Sequence, residues 1–112
     1  MDHAFGLDEH TDMESLQKAI NKDTVLYSGV PLTNTGDAIG YVTKRAFGRG
    51  GEARRGVAQV IITVTDGLSQ RPRYTARKAA SARQKGVYMF AVGVGNYTDE
   101  QELQVRNTFC SL

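Results

Sequence analysis

The sequence predicts an α/β domain built on a mostly parallel sheet, and three observations carry that prediction. Val57 to Val64 is a nearly continuous run of apolar and β-branched residues, as expected of a strand covered on both faces. Val87 to Val92 is a second such run. Between them Pro72 opens a helical pattern, which leaves about 20 residues from one strand to the next; that separation demands a parallel pair with a right-handed crossover.

The remaining elements follow in order. Ala4 to Leu7 is a brief apolar stretch, expected to form an edge strand. Asp12 is placed to cap a helix with Glu14 in its first turn and Leu16, Ala19 and Ile20 at helical spacing. Val25 to Tyr27 is a short apolar piece closed by Ser28-Gly29-Val30-Pro31. From Gly36 onward, Ala38, Ile39, Val42, Ala46 and Phe47 form a one-sided apolar stripe, hence a second helix. Gly48-Arg49-Gly50-Gly51 ends it in a loop. In the helix opened by Pro72, residues Ala76, Ala79, Ala80 and Ala82 give a small-residue face suited to close packing on a sheet, and Gly86 stops the helix. The second strand runs out at Gly93-Val94-Gly95-Asn96, and Thr98-Asp99-Glu100-Gln101 starts a last helix through Leu103 and Val105.

A length of 112 residues fits one small domain, and 40% hydrophobic with 23% charged residues excludes wholesale disorder. The single cysteine, Cys110, excludes an internal disulfide and zinc clusters of the CxxC kind; it reads as a chance terminal thiol. No apolar run approaches the roughly 20 residues of a membrane span. Met1 to His10 holds acids and histidine without an apolar core, so no secretory signal is expected. The net charge of +2 conceals an uneven distribution: Lys44 to Lys85 holds eleven Lys/Arg against two acids, Glu52 and Asp66. Such a basic middle suits nucleic acid, a heparin-like polyanion or an anionic membrane, although its ordinary reading is a solvated helix surface.

The chemistry concentrates in two loops. The first strand runs into Thr65-Asp66-Gly67, at the place where open α/β sheets bind ligands beyond the carboxyl ends of their strands. The second loop is Thr33-Asn34-Thr35-Gly36. The Asp66 carboxylate can either coordinate a hard cation or cap the turn. Threonine hydroxyls beside a carboxylate suit Mg²⁺, Mn²⁺ or Ca²⁺, but two protein ligands are too few to hold such an ion firmly. Gly93-Val94-Gly95 after a strand offers a small nucleotide-binding protein as an alternative; the dinucleotide fingerprint lacks its third glycine, because position 98 is threonine. His3 and His10 read as exposed residues, and Ser28 and Ser69 have no histidine partner in sequence that would make a hydrolase triad. Tyr41, Tyr74, Tyr88 and Tyr97 read as core or boundary residues.

Taken in order, Leu32 to Ile39, Ala53 to Val57, Val60 to Ser69, and Gly86 to Gly95 with Glu102-Leu103 resemble the von Willebrand factor A domain of the matrilin and non-fibrillar collagen type. The pairing of Thr33-Asn34-Thr35-Gly36 with Val64-Thr65-Asp66-Gly67 makes the resemblance specific. It runs from about Phe5 to Val105 and leaves 106–112 as a divergent tail. It implies a doubly wound, Rossmann-like sheet of strand order 3-2-1-4-5-6 with flanking helices. It further implies a metal-ion-dependent adhesion site (MIDAS) in which a threonine of the second loop and an aspartate of the third hold Mg²⁺ or a similar ion. Those positions fall on Thr33 and Asp66, with Asn34, Thr35, Gly67 and Ser69 as neighbours; the residues leave open a swap between Thr33 and Thr35. The implied function is adhesion without turnover, hence no enzyme. The implied location is extracellular, and the partner is a protein of the matrix or cell surface, collagen among the candidates, with no nucleic acid and no membrane.

One departure weighs heavily. The family's DxSxS loop occurs nowhere, and Asp2, Asp8 and Asp12 lack its paired serines. Residue 1 falls just before the family's third strand, so 1–112 reads as a partial domain without the first strand, first helix and second strand. The expected consequences are weak or absent divalent binding, a Phe5 segment cut off from its neighbours, and an unpaired apolar edge on Val57–Val64 that invites self-association. Arg71 and Arg73 stand where the family often has acids.

Overall fold

In a computed structural model of the chain the residues described are 4–22, 34–95 and 109–111. Three helices and three strands alternate there: α1 (Met13–Lys22), α2 (Thr35–Arg45), β1 (Val60–Thr65), α3 (Pro72–Gln84), β2 (Tyr88–Gly93) and β3 (Phe109–Ser111). The strands form one parallel sheet of order β1-β2-β3. The expected α/β class and parallel crossover are therefore present, with Val60 opposite Tyr88 and Thr65 opposite Gly93. Val25–Tyr27 and the helix expected from Thr98 lie outside the described residues.

Local signals explain the boundaries. The Ser15 N–H donates to Asp12 Oδ1 at 2.8 Å, which is the predicted cap of α1. Pro72 occupies the first turn of α3, where a missing N–H costs nothing. Gly86 ends that helix at φ +85, with its N–H donating to the Arg83 carbonyl at 2.8 Å. The loop after α2 is tied back as well, since the Ala53 N–H donates to the Ala46 carbonyl at 3.0 Å.

Packing is concentrated on one side of the sheet. Ile39 of α2, Ile61 of β1, Ala79 and Ala82 of α3, and Val87 and Met89 beside or in β2 form the core, with Val42 and Phe47 against it. Ala79 and Ala82 are wholly buried, so the small-residue face of α3 does what its spacing predicts. Each large apolar side chain buried there contributes about 1.5–3 kcal/mol.

Three expectations are corrected. Ala4 to Leu7 forms no strand; with so few residues, local contacts decide, and the Leu7 N–H donates to Glu52 Oε2 at 3.0 Å. That bond also joins the Phe5 segment to the end of α2, so it is not cut off. The strand expected from Val57 starts only at Val60, and the run is covered on one face: Ile61 and Thr65 are buried, whereas Ile62 and Val64 are 65% and 66% exposed. Periodicity cannot see this, because the covering helices α2 and α3 lie on the same side. Phe109 to Ser111, within the tail at 106–112, for which no strand was expected, pairs in parallel with Ala91 to Gly93. Three residues are too short for a strand signal, and the free edge of β2 supplies the register.

Candidate functional site

The carboxyl ends of β1 and β2 are locked side by side. The Val94 N–H donates to the Thr65 carbonyl at 2.9 Å, one residue beyond the last ladder pair. The turn that follows β1 is held by Thr65, whose Oγ1 lies 2.9 Å from the Gly67 carbonyl as donor and 3.3 Å from the Gly67 N–H as acceptor. Of the two roles open to Asp66, capping this turn is therefore taken by its neighbour. Asp66 is exposed, and among the described residues its carboxylate accepts no hydrogen bond. The loop ends in Ser69, which is buried and accepts a hydrogen bond from Thr75 Oγ1 at 3.1 Å. The loop is thereby anchored on α3.

The second loop reaches the same end of the sheet through α2. Asn34 precedes the helix, is exposed and makes no side-chain cap. Thr35, the first helical residue, and Gly36 are buried. Gly36 is where α3 crosses: a Cβ there would lie 2.6 Å from Tyr74 Cδ1 and 3.1 Å from the Thr75 Cα. The Tyr74 hydroxyl then donates to Asp37 Oδ1 at 2.9 Å. Gly36 and Tyr74 thus pin the start of α2 to the start of α3, and with it the approach of the two loops. Sequence reading missed this pair, although the i, i+4 spacing of Gly36 and Gly40 was an available sign of a close helix contact.

Of the predicted site residues, Asp66, Gly67 and Ser69 lie in one loop, and Asn34 and Thr35 open the neighbouring helix. Thr33 lies outside the described residues. Among the described residues no three of His, Cys, Asp and Glu converge as a metal cluster. The oxygen donors of Asp66 and the threonines fit a hard cation in kind, but in number they fall short of a full coordination shell. Clefts of about 700 and 680 Å³ lie elsewhere, around Phe5 to Ala19 and around Arg54 to Val60, and Asp66 lines neither. His10 lines both; its Nδ1 is 2.7 Å from Ser15 Oγ, a local contact at the start of α1. On the far side of α2, the Arg45 guanidinium is pushed above its ordinary pKa by hydrogen bonds to Glu52 and Tyr41. No described helix is long and apolar enough to cross a membrane.

Comparison with known proteins places this geometry. Residues 1–106 match the von Willebrand factor type A domain. Chicken (Gallus gallus) matrilin-1 is 35% identical over 97 residues, 87% of this chain and 19% of the relative. The transmembrane cell adhesion receptor mua-3 of Caenorhabditis elegans is 35% identical over 105 residues, 91% of this chain and 3% of the receptor. Among solved structures, proximal thread matrix protein 1 from the mussel byssus, described with a zinc-occupied MIDAS motif, superposes with a TM-score of 0.81 at 26% identity. That match covers 92% of this chain and 26% of the mussel chain. The chain therefore spans a fifth or less of the curated relatives and about a quarter of the mussel protein. These relatives are matrix and adhesion proteins. They speak neither for the nucleotide-binding alternative nor for polyanion binding as the main role.

Proposed function

Because the chain belongs to the von Willebrand factor type A domain family, we propose that it is a protein-binding module whose ligand docks beyond the carboxyl ends of β1 and β2. The observation that carries this reading is the exposed Asp66 carboxylate, relieved of turn-capping by Thr65. In this reading Asp66 and Thr33 are the metal ligands, and Asn34, Thr35, Gly67 and Ser69 shape the loops around them. A bound divalent cation would present a positive centre to an acidic residue of the partner. Binding there needs no bond to break, so the role is adhesion and not catalysis. The partner is an extracellular protein of the matrix or cell surface, collagen being one candidate, and the location is extracellular.

The same reading sets the strength of the metal site. With one carboxylate and one hydroxyl from the chain, Mg²⁺ or Mn²⁺ is held at about 1 mM or more weakly, at the loose end of the range for oxygen-ligand sites. Isothermal titration of the chain and of Asp66→Ala measures this. Weak heats that vanish in Asp66→Ala support the assignment; tight one-to-one binding would contradict the two-ligand site, and unchanged heats in the variant would remove Asp66 from it. A further element of the reading is self-association through the free side of β1, which ends the sheet among the described residues.

A further inference from the structure

Five of the eleven cations of the middle segment fall along one pair of helices. α2 and α3 run side by side in the same direction: Gly36 meets Tyr74 and, one turn on, Gly40 meets Lys78. Lys78 Nζ lies 3.6 Å from where a Gly40 Cβ would be, and 5.2 Å from the Tyr74 ring centroid. Lys44 follows Gly40 by one more turn on the same helix face, and it is exposed. On α3, Arg73 and Arg77 are exposed one turn apart, and Lys85 closes the helix. These five cations follow the seam and outer ridge of the helix pair over about 18 Å, at 1.5 Å rise per residue.

Two features set the stripe apart from an ordinary solvated helix face. The ion pairs among the described residues are Lys18–Glu14 and Arg45–Glu52, so Lys44, Arg73, Arg77 and Lys85 have no acidic partner there. Moreover, α3 has no acid in its first turn and places Arg71 and Arg73 at its positive end, where the helix dipole disfavours cations. A bound polyanion would relieve both. By contrast, Arg54 lines a cleft together with Asp8 and Glu52, so the charge of that loop is mixed.

We infer that the α2–α3 face binds a sulfated glycosaminoglycan, through Lys44, Arg73, Arg77, Lys78 and Lys85. The ligand is a linear polyanion because the cations form a row and not a pocket. The choice of a polysaccharide over nucleic acid has two grounds. The aromatic ring in the row, Tyr74, is covered by Lys78 and offers no stacking platform, and the extracellular reading above puts sulfated polysaccharide within reach. The surface is independent of Asp66 and of any metal.

Heparin affinity and titration across salt concentrations test this on the full chain. Neutralising four or five charges gives a slope of log K against log salt of about −3 to −4, taking the counterion-release rule for linear polyanions. Arg73→Glu/Arg77→Glu should flatten the slope to about −1 to −2 and weaken binding at least tenfold at 0.15 M salt, roughly, for two charges reversed. Arg54→Glu/Arg55→Glu carries the same change in net charge, and should keep most of the affinity; circular dichroism checks that both variants stay folded. Equal loss in the two variants, or elution below about 0.15 M salt, overturns the site. Tighter binding to double-stranded DNA than to heparin overturns the choice of polysaccharide while leaving the adhesion reading untouched. Binding that needs added Mg²⁺ overturns the independence from Asp66.

Discussion

The two faces of the sheet carry nearly the same residue types and have opposite fates. On one face Ile61, Met89 and Ala91 are buried beneath α2 and α3. On the other, Val60 pairs with Tyr88 and Ile62 with Phe90, and all four side chains remain exposed. Alternation along a strand decides which face a residue joins. Whether that face is covered depends on where the neighbouring helices fall. α2 and α3 share one side, and α1 leaves Met13 and Ile20 exposed and covers neither strand. A run such as Val60–Thr65 is thus half core and half surface, although nothing in its composition distinguishes the halves.

The largest expected effect separates the faces directly. Met89→Ala removes a side chain that is 3% exposed and sits among Ile39, Ile61 and Ala82, so it should cost about 2–5 kcal/mol in urea unfolding. A loss below about 1 kcal/mol would mean that the covered face is not packed as described. The next effect tests what holds the covering helices together. Gly36→Ala places a methyl 2.6 Å from Tyr74 Cδ1 and 3.1 Å from the Thr75 Cα, and α3 cannot retreat without drawing its own Ala79 and Ala82 out of the core. A destabilisation of about 1–3 kcal/mol is expected from overpacking, partly offset by up to about 1 kcal/mol of helix propensity. Coupling with Tyr74→Ala sharpens the test: the double variant should recover much of the loss, because the ring is the nearer of the two obstacles.

How much of this was legible in the sequence depends on the range of the interaction. Pro72, Gly86 and Asp12 act within a few residues, and their elements start and stop where those residues require. The parallel pairing of β1 and β2 follows from the length of the crossover alone. The site was legible as two loops, since Thr65-Asp66-Gly67 ends a strand and Asn34-Thr35 opens a helix. What joins them was not: the Tyr74–Asp37 hydrogen bond spans 37 positions, and no local pattern announces it. The division of labour between Thr65 and Asp66 was also hidden, because either side chain can hold an Asp-Gly turn and only the hydrogen bonds show that the hydroxyl does. Phe109–Ser111 was missed for a related reason, since its pairing is dictated by the free edge of β2 rather than by its own three residues.

The smallest expected change in stability bears on the open face, and there the informative readout is association. Ile62 is 65% exposed, so Ile62→Lys should shift the unfolding free energy by no more than about 0.5 kcal/mol. Its consequence lies between molecules. Ile62 sits at the centre of an apolar strip with Val60, Val64, Tyr88 and Phe90, on a strand that ends the sheet among the described residues. Strips of this kind drive edge pairing and aggregation, and an inserted lysine is the usual guard against both. Sedimentation velocity over a range of concentrations should therefore show the parent chain associating and Ile62→Lys staying monomeric at an unchanged urea midpoint. Identical association in the two would assign the contact to another surface. A large loss of stability would show instead that the open face is covered within the chain itself, and the contrast between the faces would be one of sequence alone.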